Sequence, residues 1–257
     1  MTHWVRFSHD DVMSFGTLTD EKINIFEGDM FADPRNIGRQ IALADVELLA
    51  PCVPSKIVAL WNNFHALAAK LGQPVPADPL YLLKAPSSVL RPGGVVKRPA
   101  SYVGKIGYEG ELGIVIGRTC CEIKADEADQ FIFGYTCVND ITASDILNKD
   151  TSFAQWARAK SFDGFAPFGP CITTGLDPEH LIVKTTLNGA ERQAYPVADM
   201  IFSAREIVAR LSHDMTLEPG DLICCGTSIG LGAMKEPHNE VVVAIEGIGS
   251  LRNTLNQ

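Results

Sequence analysis

The stretch that most restricts what this 257-residue chain can fold into is Tyr108-Glu109-Gly110-Glu111-Leu112-Gly113-Ile114-Val115-Ile116-Gly117. Its apolar half reads as a buried strand. Residues i and i+2 of a strand point the same way, so Glu109 and Glu111 present two carboxylates on one face. Like charges so placed repel, and they are tolerated when a cation lies between them or when one stays protonated. A second apolar run, Phe131 to Val138, ends in Asn139-Asp140 and brings a third acid to the mouth of a second strand. An all-carboxylate set suits a hard cation, Mg²⁺ first and Mn²⁺ or Ca²⁺ after it. Glu109, Glu111 and Asp140 are therefore the candidate metal ligands. Taken singly, the two glutamates fit an exposed polar strand face better than a site, and Asp140 fits a turn, since Asn-Asp is turn chemistry.

The rest of the chain is consistent with a sheet built around that strand. Short apolar runs separated by turns recur from Val5 onward, with few helix patterns between them, which predicts an α+β, mainly β fold rather than βαβ units. Residues 1–54 read as a small N-terminal β-meander and 55–257 as the main domain, with Pro51 and Pro54 at the boundary. A strand is expected at Ile57 to Leu60, a short helix at Phe64 to Leu71, and another strand at Leu80 to Lys84. Ala143 to Lys149 reads as a short helix and Trp156 to Pro170 as an irregular segment. Asn188-Gly189 between two strand-like runs is the strongest hairpin signal, because Asn-Gly favours the type I′ turn. Ser203 to Glu206 is a capping box opening a helix with Ile207, Val208 and Leu211 on one face.

Composition narrows the partners. With 46% hydrophobic residues and a net charge of −9, the chain has a sizeable core and no basic stripe. That balance argues against nucleic acid and against an anionic membrane surface. No window approaches eighteen uninterrupted apolar residues and Met1 to Arg6 is not a secretory leader, so a cytoplasmic location is expected. The seven cysteines contain no Cys-x-x-Cys and several fall in apolar strands, which predicts buried, reduced thiols. The glycine-rich loop Gly226 to Gly232 has neither the Lys-Ser/Thr ending nor the following helix of a phosphate-binding loop.

Taken in order, Glu109-Gly110-Glu111-Leu112, Gly134-Tyr135 through Asn139-Asp140, Lys160-Ser161-Phe162-Asp163, Ala166-Pro167-Phe168-Gly169-Pro170, Asn188-Gly189, Leu217 to Asp221, Gly226-Thr227, and Ile245 to Gly249 resemble the signatures of the fumarylacetoacetate hydrolase family. The resemblance runs from about residue 55 to the C-terminus. It implies a mixed β-sandwich or β-roll catalytic domain, usually a homodimer, that binds Mg²⁺ through Glu109, Glu111 and Asp140. It implies small anionic 2-oxo or 2-hydroxy acids as substrates, in aromatic or amino-acid catabolism. Isomerase or tautomerase chemistry, C–C hydrolysis, decarboxylation and lyase chemistry are all represented, and a catalytically silent member that binds metal and keto acid is a further alternative. Lys160 matches the family's active-site lysine and Thr227 the residue whose hydroxyl contacts substrate. Lys84 also falls in a family motif, either as a site residue or as a structural one.

The departures bear on the reaction. The family's water-activating pair lies in an Asn-Tyr-x-x-His-x-x-Glu pattern, and the ungapped match from Asn63-Phe64 places Leu67 and Lys70 at those two positions. His65, two residues earlier, either supplies the base or simply begins the helix. Ser144 and Leu147 replace the substrate-holding arginine and glutamine, and Ser228 stands where a proline is usual. A 2-oxo acid that chelates a cation is acidified at the adjacent carbon, which serves tautomerisation without an attacking water. Isomerisation of a 2-hydroxy-dienoate or oxaloacetate-like acid is therefore expected ahead of acylpyruvate hydrolysis.

Overall fold

The computed structural model describes residues 1–256, and strands gathered in three sheets carry the fold. This is the α+β, mainly β architecture that the turn spacing predicts. The strand Gly110–Ile116 lies in the largest sheet and is buried at every residue. On one side it pairs antiparallel with Ile132–Asn139, Gly110 opposite Asn139. On the other it pairs with Leu222–Cys224, Gly113 opposite Cys224. Its main-chain groups are satisfied by these neighbours, which is why so apolar a segment can be buried. Ile57–Trp61 joins Leu222–Cys224 in parallel, and Leu80–Lys84 forms the edge beyond it.

In the opposite direction the sheet continues from Ile132–Asn139 through Ala166–Thr174 to Thr2–His9, Val12–Thr19, Lys22–Glu27 and Arg35–Ala42. The N-terminal meander thus shares backbone pairing with the central sheet, Thr2 opposite Thr174 and Trp4 opposite Ile172. Its two-residue turns at Asp10-Asp11 and Asp20-Glu21 have positive φ at both positions, the conformation that suits the twist of a tight hairpin. Arg35–Ala42 was not evident from sequence, because Ile37 and Ile41 are its sole large apolar residues.

A second sheet packs against the first. It contains the hairpin of Ile182–Leu187 and Ala190–Pro196, with Asn188 and Gly189 at φ 53° and 78° as the Asn-Gly signal requires. His238–Ile245, Gly249–Asn256 and Val95–Lys97 extend it. The helix Ala204–Asp214 opens on the expected capping box between Ser203 and Glu206 and buries Ile207, Val208 and Leu211. Three segments differ from expectation. The strand read through Glu109 and Glu111 is broken at Glu109, which lies between Ile106–Tyr108 and Gly110–Ile116, because the chain passes there from one sheet to another. Ala143 to Lys149 yields a single 3₁₀ turn, Ser144–Ile146, because Thr142–Ala143 is drawn into pairing with Ile106–Tyr108. Trp156 to Pro170 is ordered as the helix Trp156–Lys160 and the strand Ala166–Thr174, since pairing with Val89–Leu90 and with Ile132–Asn139 overrides its prolines.

Candidate metal centre and active site

Carboxylate oxygens of Glu109, Glu111 and Asp140 lie within 4.8 Å of one another. Glu111 and Asp140 are fully buried and Glu109 is half-buried. Local backbone contacts set this convergence. The Asp140 N–H donates to the Glu109 carbonyl at 2.8 Å, and Asn139 Oδ1 accepts from the Glu109 N–H at 3.2 Å. The third acid is thus pinned to the backbone of the first.

Two ammonium groups compensate the acids. Lys160, at the end of its helix and 3% exposed, donates from Nζ to Glu109 Oε2 (2.9 Å), Asp140 Oδ2 (2.6 Å) and Thr142 Oγ1 (2.7 Å). The Thr142 hydroxyl in turn donates to Glu109 Oε1 at 2.9 Å. Lys84, also fully buried, donates to Asp140 Oδ1 and to the Phe165 carbonyl. Burial opposes the Asp140 charge, yet Lys160 and Lys84 outweigh it and hold its pKa below the usual carboxylate range. Burial likewise opposes the Lys160 ammonium, but Asp140, Glu109 and Glu111 outweigh it and raise its pKa. That direction suits an anchor or hydrogen-bond donor, and it is the opposite of what a lysine base needs. Glu111 takes the remaining strain: burial, with Asp140 and Glu109 close by, pushes its pKa well above the ordinary glutamate value.

The donor set fits a hard divalent ion. Glu111 Oε2 accepts from the Gly226 N–H at 2.9 Å, while its Oε1 is buried with no hydrogen-bond partner. An unpartnered buried carboxylate oxygen is costly in a protein interior and well matched to a cation. Three carboxylates against two ammoniums leave one negative charge over, so a divalent ion would turn the centre positive by one. That residue of charge suits an anionic ligand.

The structure brings Glu109, Glu111, Asp140 and Lys160 together and places the other two sequence candidates differently. Thr227 adjoins the centre, but its hydroxyl donates to the Gly110 carbonyl (3.0 Å) and accepts from Gln193 Nε2 (2.8 Å). His65 is exposed at the first position of the helix His65–Leu71 and shares no hydrogen bond or ion pair with the acids among the described residues. Leu67, at the family's histidine position, is packed in the core, and Lys70 is exposed. The helix start is nevertheless tied to the site's loop, since Asn63 donates from Nδ2 to the Cys225 carbonyl at 2.9 Å and accepts from the Phe202 N–H at 2.9 Å.

Several supporting residues were not found from sequence. Thr142, Asn139, Gln193 and Tyr195 bond to the acid-bearing segments, and their signal is pairing across strands rather than any local motif. All seven cysteines are free; six are buried as expected, whereas Cys121 is exposed.

Comparison with known proteins fits this geometry. The family described as "Fumarylacetoacetate (FAA) hydrolase C-terminal" matches residues 56–256, and "Rv2993c-like, N-terminal" matches residues 2–51. Oxaloacetate tautomerase YisK of Bacillus subtilis is 36% identical over 227 residues, 83% of this chain and 74% of that one. The crystal structure of 2-hydroxyhepta-2,4-diene-1,7-dioate isomerase from Mycobacterium marinum superposes with a TM-score of 0.90 at 36% identity, covering 100% of this chain and 98% of that one. Fumarylpyruvate hydrolase from Pseudomonas aeruginosa, solved with Mn²⁺ and pyruvate, gives a TM-score of 0.74 at 27% identity, covering 82% of this chain and 91% of that one. With its ordered motifs, its sheet architecture and its clustered acids, this chain belongs to the fumarylacetoacetate hydrolase family of isomerases, tautomerases and hydrolases.

Proposed function

We propose that this chain is a Mg²⁺-dependent tautomerase of small 2-oxo or 2-hydroxy dicarboxylic acids, with an oxaloacetate-like acid as substrate. The observation that carries the reading is the convergence of Glu109, Glu111 and Asp140 on one point, with the Lys160 ammonium bonded to two of them. Glu109, Glu111 and Asp140 would hold the ion. When bound, it would supply positive charge to the carboxylate and ketone oxygens of a 2-oxo acid and so acidify the neighbouring C–H. Mn²⁺ in the Pseudomonas aeruginosa hydrolase supports a divalent ion of this kind.

The remaining work falls to the chain's own residues. Lys160 keeps its proton and lies beside the acids, so it can donate a hydrogen bond to an enol or ketone oxygen and balance the substrate's charge. Lys84 compensates Asp140 from the buried side and keeps that carboxylate ionised for the ion. Interconversion of enol and keto forms moves one proton between the oxygen and the neighbouring carbon and consumes no water, so exchange of that proton with solvent balances the step without a positioned nucleophile. Leu67 cannot activate one, and a positioned base of that sort contributes about 10²–10⁴-fold to a hydrolysis. The Bacillus subtilis relative, named as an oxaloacetate tautomerase, supports the same choice. Residues 1–54 serve in this reading as a β unit docked on the catalytic 55–257 unit, and the active form is a homodimer.

Titration calorimetry tests the ligand set. Glu111→Gln and Asp140→Asn should each weaken Mg²⁺ strongly, and unchanged affinity in either removes the assignment. A second reading, C–C hydrolysis with His65 as base, rests on the Asn63 tether that ties its helix start to the loop beside Glu111. Under the tautomerase reading His65→Ala leaves enol–keto turnover largely intact. Efficient hydrolysis of an acylpyruvate that disappears in His65→Ala decides for the second.

A further inference from the structure

The two segments that build the centre are joined by a side chain from the other sheet. Gln193 lies on the Ala190–Pro196 strand, is 2% exposed, and uses both ends of its carboxamide. Its Oε1 accepts from the Gly110 N–H at 3.0 Å, and its Nε2 donates to Thr227 Oγ1 at 2.8 Å. The same Nε2 lies 3.5 Å from the Ser228 carbonyl and 3.4 Å from that of Ile229. Thr227 in turn donates to the Gly110 carbonyl, which also accepts from Tyr195 Oη at 2.5 Å.

The register explains why a side chain is needed there. Leu222–Cys224 runs antiparallel to the acid-bearing strand, and the Cys225 N–H continues the ladder to the Leu112 carbonyl at 3.0 Å. Two residues on, the next rung would run from the Thr227 N–H to the Gly110 carbonyl. Gly226, at φ 88°, turns the chain so that its own N–H reaches Glu111 instead. The Thr227 hydroxyl then makes the Gly110 rung in place of the main chain, and Gln193 holds that hydroxyl. Among the described residues the Thr227 N–H has no hydrogen-bond partner, so the hydroxyl alone carries this rung.

We propose that Gln193 is a positioning residue of the centre: by gripping Gly110 and Thr227 at once, it sets Glu109 and Glu111 on either side of Gly110 at the spacing that a divalent ion requires. The proposal rests on the metal reading above and assigns Gln193 no contact with ion or substrate. Thr227, by the same geometry, acts as a latch on the strand.

The test is Mn²⁺ titration without substrate, followed by calorimetry, on the full chain and on Gln193→Met, Thr227→Val and the double variant. Groups that orient metal ligands typically change affinity about 10–100-fold when removed, and that loss is expected in each single variant. Both act on Gly110, so the double variant should lose less than the product of the single losses. Thr227→Ser, which keeps the hydroxyl, should recover the affinity that Thr227→Val loses. Mn²⁺ affinity at the wild-type level in the two single variants overturns the proposal alone, as do losses that multiply in the double. If Gln193→Met does not fold, the contrast between Thr227→Val and Thr227→Ser decides, because a hydroxyl that served substrate alone would not alter ion binding. A wild-type chain that binds no Mn²⁺ removes the metal reading and this proposal with it.

Discussion

Replacing Gly110 with alanine tests how strictly the acids depend on the hairpin packed over them. A Cβ at this position would lie 1.9 Å from Thr185 Oγ1, 3.2 Å from Thr185 Cβ and 3.3 Å from Gln193 Oε1. Non-bonded carbon atoms settle at roughly 3.5–4.0 Å, so strand and hairpin must part by roughly 1 Å or more. Thr185 cannot freely swing its oxygen aside, because a β-branched side chain has few open χ1 wells. Overpacking of this kind costs about 1–3 kcal/mol, which for a chain of this size lowers the melting temperature by roughly 2–12 °C. Glu109 and Glu111 flank the substituted residue, and a misplacement of about 1 Å at reacting groups can cost about 10²-fold in rate. Thermal melts and the decay of enol absorbance under saturating Mg²⁺ measure the two losses. Thr185→Ala removes the obstructing oxygen, so Gly110→Ala/Thr185→Ala should recover most of both. A Gly110→Ala variant that melts and turns over like wild type, or a double variant no better than the single, refutes the packing argument.

Lys160→Met strips a charge-assisted bond from both Glu109 and Asp140. Losing one partner of a buried pair costs about 3–5 kcal/mol, and kcat/KM should fall alongside; wild-type kinetics would remove Lys160 from the site. Thiol labelling of the native chain should modify Cys121 alone, with the other six reacting after unfolding, and a second reactive thiol in the native state contradicts the burial. Glu206 accepts hydrogen bonds from the Ser203 main chain and hydroxyl, which hold its pKa below the usual glutamate value. A depressed folded-state pKa adds stability that is present above the unfolded value and is lost as pH falls through the folded one. Glu206→Gln should therefore melt earlier than wild type at neutral pH and match it in acid; a gap that persists in acid assigns the difference to shape rather than charge.

The sequence carried the centre further than it carried the scaffold, for a physical reason. Glu109, Glu111 and Asp140 are legible because each sits at a fixed offset from an apolar run, although Glu109 lies at the break between Ile106–Tyr108 and Gly110–Ile116 and is brought to the others by its backbone bonds to Asn139 and Asp140 rather than by a shared strand face. Lys160 is legible by its match to the family's lysine, and the charge balance of the acids demands such a group. Lys84 also falls in a family motif, which left its role open between site and structure, and Gln193 carries no signal of its own. A lysine inside Leu82-Leu83-Lys84 is buried only because the edge strand Leu80–Lys84 pairs with Ile57–Trp61 and turns it toward Asp140. Gln193 looks like one polar residue among others in a hairpin until the second sheet is laid over Gly110. Contacts of that kind join residues 56 and 83 positions apart, and no local pattern encodes them.

The same distinction explains why the reaction type is harder to read than the metal set. Ion binding would depend on three carboxylates and on what neutralises them, and these groups are fixed by buried backbone: Glu111 within a strand, Glu109 and Asp140 at strand ends and Lys160 at the end of a helix. Hydrolysis depends in addition on a base delivered by the helix His65–Leu71, a surface element whose first residue is exposed. The core position within that helix belongs to Leu67, 3% exposed, so a base restored at 67 would have to displace an apolar contact. Leu67→His should thus cost stability on the scale of a buried polar group without a partner, about 1–3 kcal/mol. It should not create acylpyruvate hydrolysis unless the helix shifts toward the acids. Hydrolysis gained in Leu67→His with an unchanged melting temperature would mean that the helix reorients at little cost, and the preference for tautomerisation would then rest on His65 and Lys70 rather than on the fold.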